Sequence, residues 1–415
     1  MKRAENQKEN QKGLGKICRK GDSLTTMPTQ PMNARPGWMT RFAAALLNIL
    51  GACGLLAAGL EMSDLFVAGS EGYHTYRIPA IVTSTRGTVL AFCEGRKVNS
   101  SDTGRIDLVV KRSTDGGRTW TPQQVVWSDG DNVCGNPAPV VDSSNGRIWL
   151  LMTWNLGADH ERQIMEGSSK ETRRVFVTHS DDDGVSWAAP REITESTKKP
   201  HWRWYATGPG NGIQLTRGPH FGRIVVPANH SDHTDPGSHP YRSHVIYSDD
   251  HGQTWRLGGI QQDMTNESTL AELADGTLLH NMRSYHKRNR RAVATSRDGG
   301  LSWSPLKMDE ALIEPVCQAS LLRATWPGAG EKSRLLFANP ASVKRERMVV
   351  RVSYDEGATW PANRELHAGP AAYSSLVMLS GDEVACLFER GTKSPYEKIS
   401  LARFPLSWLE DTLRP

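Results

Sequence analysis

Eight side chains in this sequence are of types that do chemistry and stand where packing does not call for them: Arg77, Arg96, Arg283, Arg345, Asp102, Glu267, Tyr373 and Glu389. Each adjoins a short apolar run of the kind that forms a strand. Arg77, Glu267 and Tyr373 open such runs, Arg96, Arg283 and Glu389 close them, and Asp102 and Arg345 lie in the connections beyond. Guanidinium groups brought to one point repel each other unless carboxylates stand between them and an anionic ligand arrives. The residue types by themselves therefore point to an anion-binding site.

The elements that must position these residues are marked by a repeat. The spacing Ser-x-Asp-x-Gly-x-(Thr/Ser)-Trp occurs at Ser113 to Trp120, Ser180 to Trp187, Ser248 to Trp255, Ser296 to Trp303 and Ser353 to Trp360. A fixed motif at a loose period indicates a repeated supersecondary unit with variable loops. The aspartate can accept nearby backbone N–H groups, the glycine supplies a positive φ, and the tryptophan covers the turn. Strand-like runs precede each copy, as in Ile106 to Lys111 and Met348 to Val352, so the box is expected to join two antiparallel strands in a structural role.

Two further runs recur upstream of the boxes. One has copies at Thr88 to Phe92, Arg147 to Met152, Arg223 to Val226, Thr277 to Leu279, Arg334 to Phe337 and Glu383 to Phe388. The other has copies at Arg77 to Val82, Asn136 to Val141, Gly210 to Leu215, Glu267 to Leu273, Pro315 to Leu322 and Ala372 to Leu379. Six four-stranded antiparallel sheets set radially make an all-β, six-bladed β-propeller. The sixth unit lacks a box, and a strand near Leu65 to Val67 is expected to complete it. Consecutive strands run antiparallel, so first strands begin, and second strands end, on one face, with the boxes opposite. All eight residues fall on that first face. Helical periodicity is nearly absent, apart from a terminal turn over Leu406 to Leu413.

With this order established, the chain resembles the bacterial and animal exo-α-sialidase (neuraminidase) family. The resemblance rests on Tyr76-Arg77-Ile78-Pro79, the five Asp boxes, Asn266-Glu267-Ser268, Asn281-Met282-Arg283, Asn339-Pro340 to Arg345, and Ala372-Tyr373-Ser374-Ser375, and it covers about Phe66 to Phe404. It implies that Arg77, Arg283 and Arg345 grip a substrate carboxylate, as planar forks do. It also implies that Glu389 orients Arg77, Tyr373 is a nucleophile with Glu267 as its base, Asp102 is the acid/base and Arg96 lines the sugar pocket. A neutral phenol approaches a carboxylate-bearing anomeric carbon without the repulsion an aspartate would meet, and sialidases are a known exception to the two-carboxylate pattern. Arg347 lies two residues from Arg345 and is expected on the same strand face. Counting back from Ser353 favours Arg345, while Asp107 lies within a strand and Asp102 in a loop. Implied partners are sialylated oligosaccharides, glycoproteins or glycolipids, with no cofactor and no metal. A non-catalytic glycan-binding propeller, a trans-sialidase and a hydrolase of a related nonulosonic acid share the same scaffold.

The net charge of +5 comes from the leader: residues 1–41 carry nine Lys and Arg against three acidic residues, which leaves the remainder slightly acidic and argues against nucleic-acid binding. Phe42 to Leu60 is almost wholly apolar and follows Arg35 and Arg41, so 1–60 reads as a leader and 61–415 as the propeller. Export is expected, to a secreted or periplasmic location, with membrane attachment only if the segment stays uncleaved or Cys53 is lipidated. Cys93, Cys134, Cys317 and Cys386 show no paired spacing and read as small buried hydrophobes. His230 to His239 reads as a polar rim loop because its irregular spacings fit no compact metal set. Two stretches, Trp154 to Glu171 and Trp202 to Tyr205, are candidates for ligand contact on the active face, the second equally for loop packing.

Overall fold

The computed structural model describes residues 59–234, 240–328 and 330–411, which lie in the compact unit Leu55–Pro415. Residues 1–58 of the segment expected to be a leader, with Cys18 and Cys53, and residues 235–239 of the His-rich segment fall outside the described residues. Among the described residues the fold is all-β, with 24 strands, three short α-helices and one 3-10 turn. After β1 (Glu61–Val67) the strands come in successive antiparallel groups. The first holds β2 (Thr75–Thr83), β3 (Val89–Arg96), β4 (Ile106–Ser113) and β5 (Gln124–Trp127). The second holds β6 (Val133–Val141), β7 (Ile148–Asn155), β8 (Arg174–Ser180) and β9 (Arg191–Glu192). The third runs through β10 (Trp202–Thr207), β11 (Ile213–Gln214), β12 (Ile224–Asp232), β13 (Tyr241–Ser248) and β14 (Arg256–Asp263). The fourth comprises β15 (Thr265–Glu272), β16 (Leu278–Ser284), β17 (Arg290–Ser296) and β18 (Lys307–Ile313). In the fifth, β19 (Ser320–Thr325), β20 (Arg334–Pro340) and β21 (Glu346–Ser353) are followed by the long β22 (Ala362–Met378).

The sixth group shares β22. Residues 362–370 of that strand pair with β21, and residues 371–378 pair with β23 (Glu383–Arg390), which continues to β24 (Lys398–Pro405) and then to β1. The fifth and sixth groups thus form one seven-stranded sheet, and a single parallel bridge, Ile106 to Val133, joins the first and second into an eight-stranded one.

Apolar layers lie between consecutive groups. Phe92 and Leu108 pack with Leu150, Leu151 with Trp202 and Val226, Val225 with Leu270, Leu279 with Phe337, Val350 with Phe388, and Leu387 with Ile81. First strands are also tied to one another by hydrogen bonds. Leu321 N donates to Thr269 Oγ1 at 3.1 Å, Leu376 N to Ser320 Oγ at 2.8 Å, Ile81 N to Ser375 Oγ at 3.1 Å, and Thr207 Oγ1 to the Asn136 carbonyl at 2.7 Å.

Each Asp box makes one repeated turn. In the second copy Asp182 accepts from Ser180 Oγ (2.8 Å), Ser186 N (2.9 Å) and Ser186 Oγ (2.5 Å), while Gly184 N donates to Ser180 Oγ at 2.8 Å. The other four copies repeat the Ser, Asp and Gly bonds. The box tryptophans seal each group against the one before it: Trp120 against the sixth, Trp187 the first, Trp255 the second, Trp303 the third and Trp360 the fourth. Between the fifth and sixth groups, where no box exists, Trp408 of helix α3 (Leu406–Glu410) packs instead; α1 (Glu161–Glu166) and α2 (Thr194–Thr197) lie earlier in the chain.

Several local expectations are corrected. The main first strand of the third group is β10, because Gly208 and Gly210 have positive φ, which keeps 208–210 out of a regular ladder. Trp202 to Tyr205 is accordingly strand and not loop. The segment read as a rim loop begins inside β12, with His230 fully buried, stacked on Trp202 at 3.4 Å and bonded to His244. Helix α1 was not foreseen. The four described cysteines are free and buried.

Candidate active site

The first strands do not run straight into the site. β2 breaks register between Arg77 and Ala80, β6 between Gly135 and Ala138, β10 between Trp202 and Tyr205, β15 between Thr265 and Ser268, and β22 between Ala371 and Ser374. A bulge bends a strand and re-aims its side chains. In β2 and β6 the cause is legible: Pro79 and Pro137 lack the N–H the ladder needs, and the residues before them, Ile78 and Asn136, take φ of 62° and 54°. For a β-branched residue this costs on the order of 1–3 kcal/mol.

The bulges surround a cavity of about 340 Å³ lined by Arg77, Asp102, Glu267, Arg283, Arg345 and Tyr373, with walls of Asn136, Arg173, Trp204 and Tyr396. Tyr373 is bonded to two of the other lining residues. Its hydroxyl donates to Glu267 Oε1 at 2.5 Å and accepts from Arg283 Nη1 at 3.4 Å, while the same Arg283 nitrogen donates to Glu267 Oε2 at 2.7 Å. The guanidinium carbons of Arg77 and Arg345 lie 5.1 and 5.6 Å from the tyrosine ring centre. Three arginines from separate strand groups thus converge on one phenol.

Behind them stands the carboxylate that makes their gathering tolerable. Glu389 is fully buried and accepts from Arg77 Nε (2.7 Å), Ile78 N (2.9 Å) and Tyr373 N (3.1 Å). One side chain therefore fixes Arg77 and the backbone of the tyrosine together. Tyr396, which no sequence feature singled out, sits between two arginines: its hydroxyl accepts from Arg345 Nη1 at 2.7 Å, and its ring lies 4.0 Å from the Arg77 guanidinium carbon.

Asp102 projects from the loop after β3 and is 58% exposed at the cavity mouth. Arg96 Nη2 meets it at 2.5 Å and is held from behind by Glu94 at 2.7 Å. Arg96 and Glu389 thus back the cavity without lining it. Burial would raise the Asp102 carboxyl, but the charges of Arg96, Arg77 and Arg173 outweigh it and hold the group below its ordinary value. The Tyr373 phenol goes the other way: burial and the Glu267 carboxylate push it well above 10, against the pull of Arg283 and Arg345. It is neutral at physiological pH.

The two ambiguities of the sequence resolve by position. Asp107 lies in β4 and is buried, accepting from Tyr73 and Ser128 hydroxyls at 2.7 and 2.6 Å, away from the cavity. Arg347 does not share a face with Arg345, as alternation had suggested; its φ of 60° breaks the period, and it turns outward to Glu365 at 3.1 Å. Of the two stretches that are candidates for ligand contact, Glu161 of the first and Trp204 of the second line the cavity. Among the described residues no group of three or more His, Cys, Asp or Glu is arranged to hold a metal.

Residues 87–386 match a family described as a BNR repeat-like domain. The chain is 35% identical over 369 residues to a sialidase of Micromonospora viridifaciens, an alignment covering 85% of this chain and 55% of that protein. It thus spans little more than half of that relative's length. An exo-alpha-sialidase of Aspergillus fumigatus is 32% identical over 371 residues, covering 81% of this chain and 86% of its own. The solved structure of the Hadza microbial sialidase Hz136 superposes with a TM-score of 0.75 at 32% identity, covering 84% of this chain and 69% of that one. The repeats, the bulged strands and these likenesses together make the chain a member of the BNR-repeat sialidase family.

Proposed function

We propose that this protein is an exo-α-sialidase that releases terminal sialic acid from oligosaccharides, glycoproteins or glycolipids, with retention of configuration and a tyrosine nucleophile. The observation that carries the reading is the 2.5 Å hydrogen bond from Tyr373 to Glu267, bridged by Arg283, inside a cavity walled by three guanidiniums. The substrate carboxylate takes the place left for an anion among Arg77, Arg283 and Arg345. Tyr373 Oη then attacks the anomeric carbon as Glu267 Oε1 removes its proton, and Asp102 gives a proton to the departing glycosidic oxygen. In the second step Asp102 draws a proton from water, which attacks the same carbon; the tyrosine leaves and recovers its proton from Glu267. Two inversions give net retention. A phenol kept neutral until attack avoids like-charge repulsion with the substrate carboxylate.

The six strand groups are proposed to stand radially as propeller blades over residues 61–415. Supporting this are the apolar layers between successive groups, including the one between the sixth and the first. The preceding 1–60 is proposed as an export leader. The test is hydrolysis of a fluorogenic sialoside by the protein and by Tyr373→Phe. The variant is expected to lose at least about 10³-fold in kcat, the order associated with an essential group; equal rates would remove the nucleophile from the mechanism. Proton NMR of the first-formed anomer checks retention.

A further inference from the structure

Two of the groups in that mechanism are not fixed by the ladders of the strands that carry them. The pairing of β15 with β16 skips Arg283, and that of β16 with β17 ends at Met282. The pairing of β22 with β23 likewise skips Ala372 and Tyr373. Yet the phenol and the arginine beside it must keep their places closely, since a misplacement of about 1 Å can cost about 10²-fold in rate.

Both are held by one short connection. Residues 314–318 lie between β18 and β19; the apolar run from Pro315 does not open as a strand, and β19 starts only at Ser320. At one end the Gln318 amide takes both backbone groups of Ser374, next to the tyrosine. Ser374 N donates to Gln318 Oε1, and Gln318 Nε2 donates to the Ser374 carbonyl, each at 2.9 Å. The same Nε2 donates to the Pro209 carbonyl at 3.1 Å, and Cys317 packs with Ile78, Ala372 and Tyr373. At the other end Glu314 accepts from Ser284 N at 2.8 Å and from Arg291 Nη1 at 2.7 Å. Arg291 donates in addition from Nε to Asn281 Oδ1 at 2.7 Å and from Nη1 to the Cys317 carbonyl at 2.6 Å. Arg283 therefore sits between a residue bonded to Glu314 and one bonded to Arg291.

Stability alone does not account for this arrangement. The Arg291 and Glu314 side chains are fully buried, and a buried ion pair is often no better for stability than apolar side chains of the same volume. Between the two ends Val316 has a φ of 55°. A β-branched residue keeps that conformation only where its surroundings over-determine it, and such strain gathers at functional sites. None of residues 314–318 lines the cavity, so their effect on the reaction passes through the groups they hold.

We propose that the connection 314–318 sets the separation of Tyr373 from Arg283, with Gln318 a positioning residue for the tyrosine and Glu314, through Arg291 and Ser284, one for the arginine. This rests on the sialidase reading. The test compares the wild type with Q318M, Q318E and E314Q, each scaled to its folded fraction. Three quantities are measured: turnover of a fluorogenic sialoside, inhibition by the unsaturated sialic acid analogue, and the rate constant of covalent inactivation by a 3-fluorosialosyl fluoride. Q318M is expected to lose about 10- to 100-fold in kcat and in the inactivation constant, with the analogue bound within about threefold of wild type. E314Q is expected instead to raise KM and the inhibition constant about tenfold, because Arg283 slackens on the carboxylate. Q318E sets a carboxylate against two carbonyls at neutral pH. Its kcat relative to wild type is expected to climb as pH falls, since the protonated carboxyl offers the same acceptor and donor as the amide. A lowered melt with wild-type constants in Q318M and E314Q, or an equal loss of turnover and analogue affinity in both, would mark a merely structural role and overturn the proposal. Should those two fail to fold, a Q318E ratio that stays flat with pH overturns it. These failures leave the sialidase reading standing; a wild type that neither cleaves the sialoside nor reacts with the fluoride removes that reading and the inference with it.

Discussion

At the residue scale, the electrostatics of Asp102 make a prediction about protons. In the free protein Arg96, Arg77 and Arg173 keep this carboxyl below its ordinary range despite partial burial, yet an acid catalyst must carry a proton in the complex. A bound carboxylate neutralises Arg77 and its neighbours, so the Asp102 pKa rises on binding. A group whose pKa rises on binding takes up a proton, and affinity must then strengthen as pH falls toward the free-state value. Calorimetry of a sialic acid analogue in buffers of different ionisation enthalpy is expected to show proton uptake that grows as the pH is lowered, absent in Asp102→Asn. Uptake that persists in the variant would place the proton elsewhere. The same variant is expected to lose about 10²-fold or more with alkyl leaving groups and far less with acidic phenols, as general acid catalysis requires. Much of this site is legible in the sequence because its members sit in fixed motifs, such as Arg77 before Ile78-Pro79. Tyr396 and Arg173 belong to no motif. For Arg173 a signal existed: of the adjacent Arg173 and Arg174, alternation sends one inward, and Arg174 pairs outward with Glu171 at 2.6 Å.

At the scale of elements, the boxes and the helix α3 solve one problem in two ways. Each layer between groups needs a large apolar cover at its edge, and five boxes supply it as tryptophan. The box glycine is required by space as well as by φ. A Cβ on Gly184 would come 2.3 Å from Leu90, and on Gly252 2.1 Å from the Trp149 ring, both belonging to the preceding group. The sixth layer has no box, and Trp408 of α3 fills that role against Phe404 at 5.2 Å. Trp255→Ala, which empties a site 2% exposed, is expected to cost about 3–5 kcal/mol in a denaturant melt. Trp408→Ala, half-buried, is expected to cost about 1–3 kcal/mol. In both, kcat of the folded protein should stay at the wild-type value; a fall in kcat at unchanged stability would show that these turns reach the site. The boxes could be read in the sequence because their spacing is rigid. The bulges could not, because register is set by the partner strand, and only Pro79 and Pro137 announced it. β10 is hard to read for a related reason: an apolar run at 210–215 resembles a strand, but Gly208 and Gly210, with positive φ, divert the chain.

At the scale of the whole molecule, the last group is completed by a strand from the beginning of the described chain. β1 pairs with β24 from Glu61 opposite Arg403 to Val67 opposite Lys398. Asp64 is the clasp: it accepts from Arg390 at 2.7 Å, Lys398 at 2.8 Å and Ser400 at 2.7 Å. Burial would raise this carboxyl, but the bonds from Lys398, Ser400 and Arg390 outweigh it and bring it down to about 2 from 3.8. A carboxyl lowered in the folded state adds stability above its unfolded value and loses it as pH falls through the folded one. The thermal midpoint of Asp64→Asn is therefore expected to lie below that of the wild type at neutral pH, with the gap narrowing between about pH 4 and pH 2 and gone below it. The clasp is partly exposed, so the gap is a few degrees at most and shrinks with salt. Because β1 closes a layer built from Phe66, Ile81 and Leu387, deletion through Val67 is expected to broaden or abolish the cooperative melt, whereas deletion through Leu60 leaves it intact. A sharp, unshifted transition without β1 would mean that the first and sixth groups hold together without the strand that joins them.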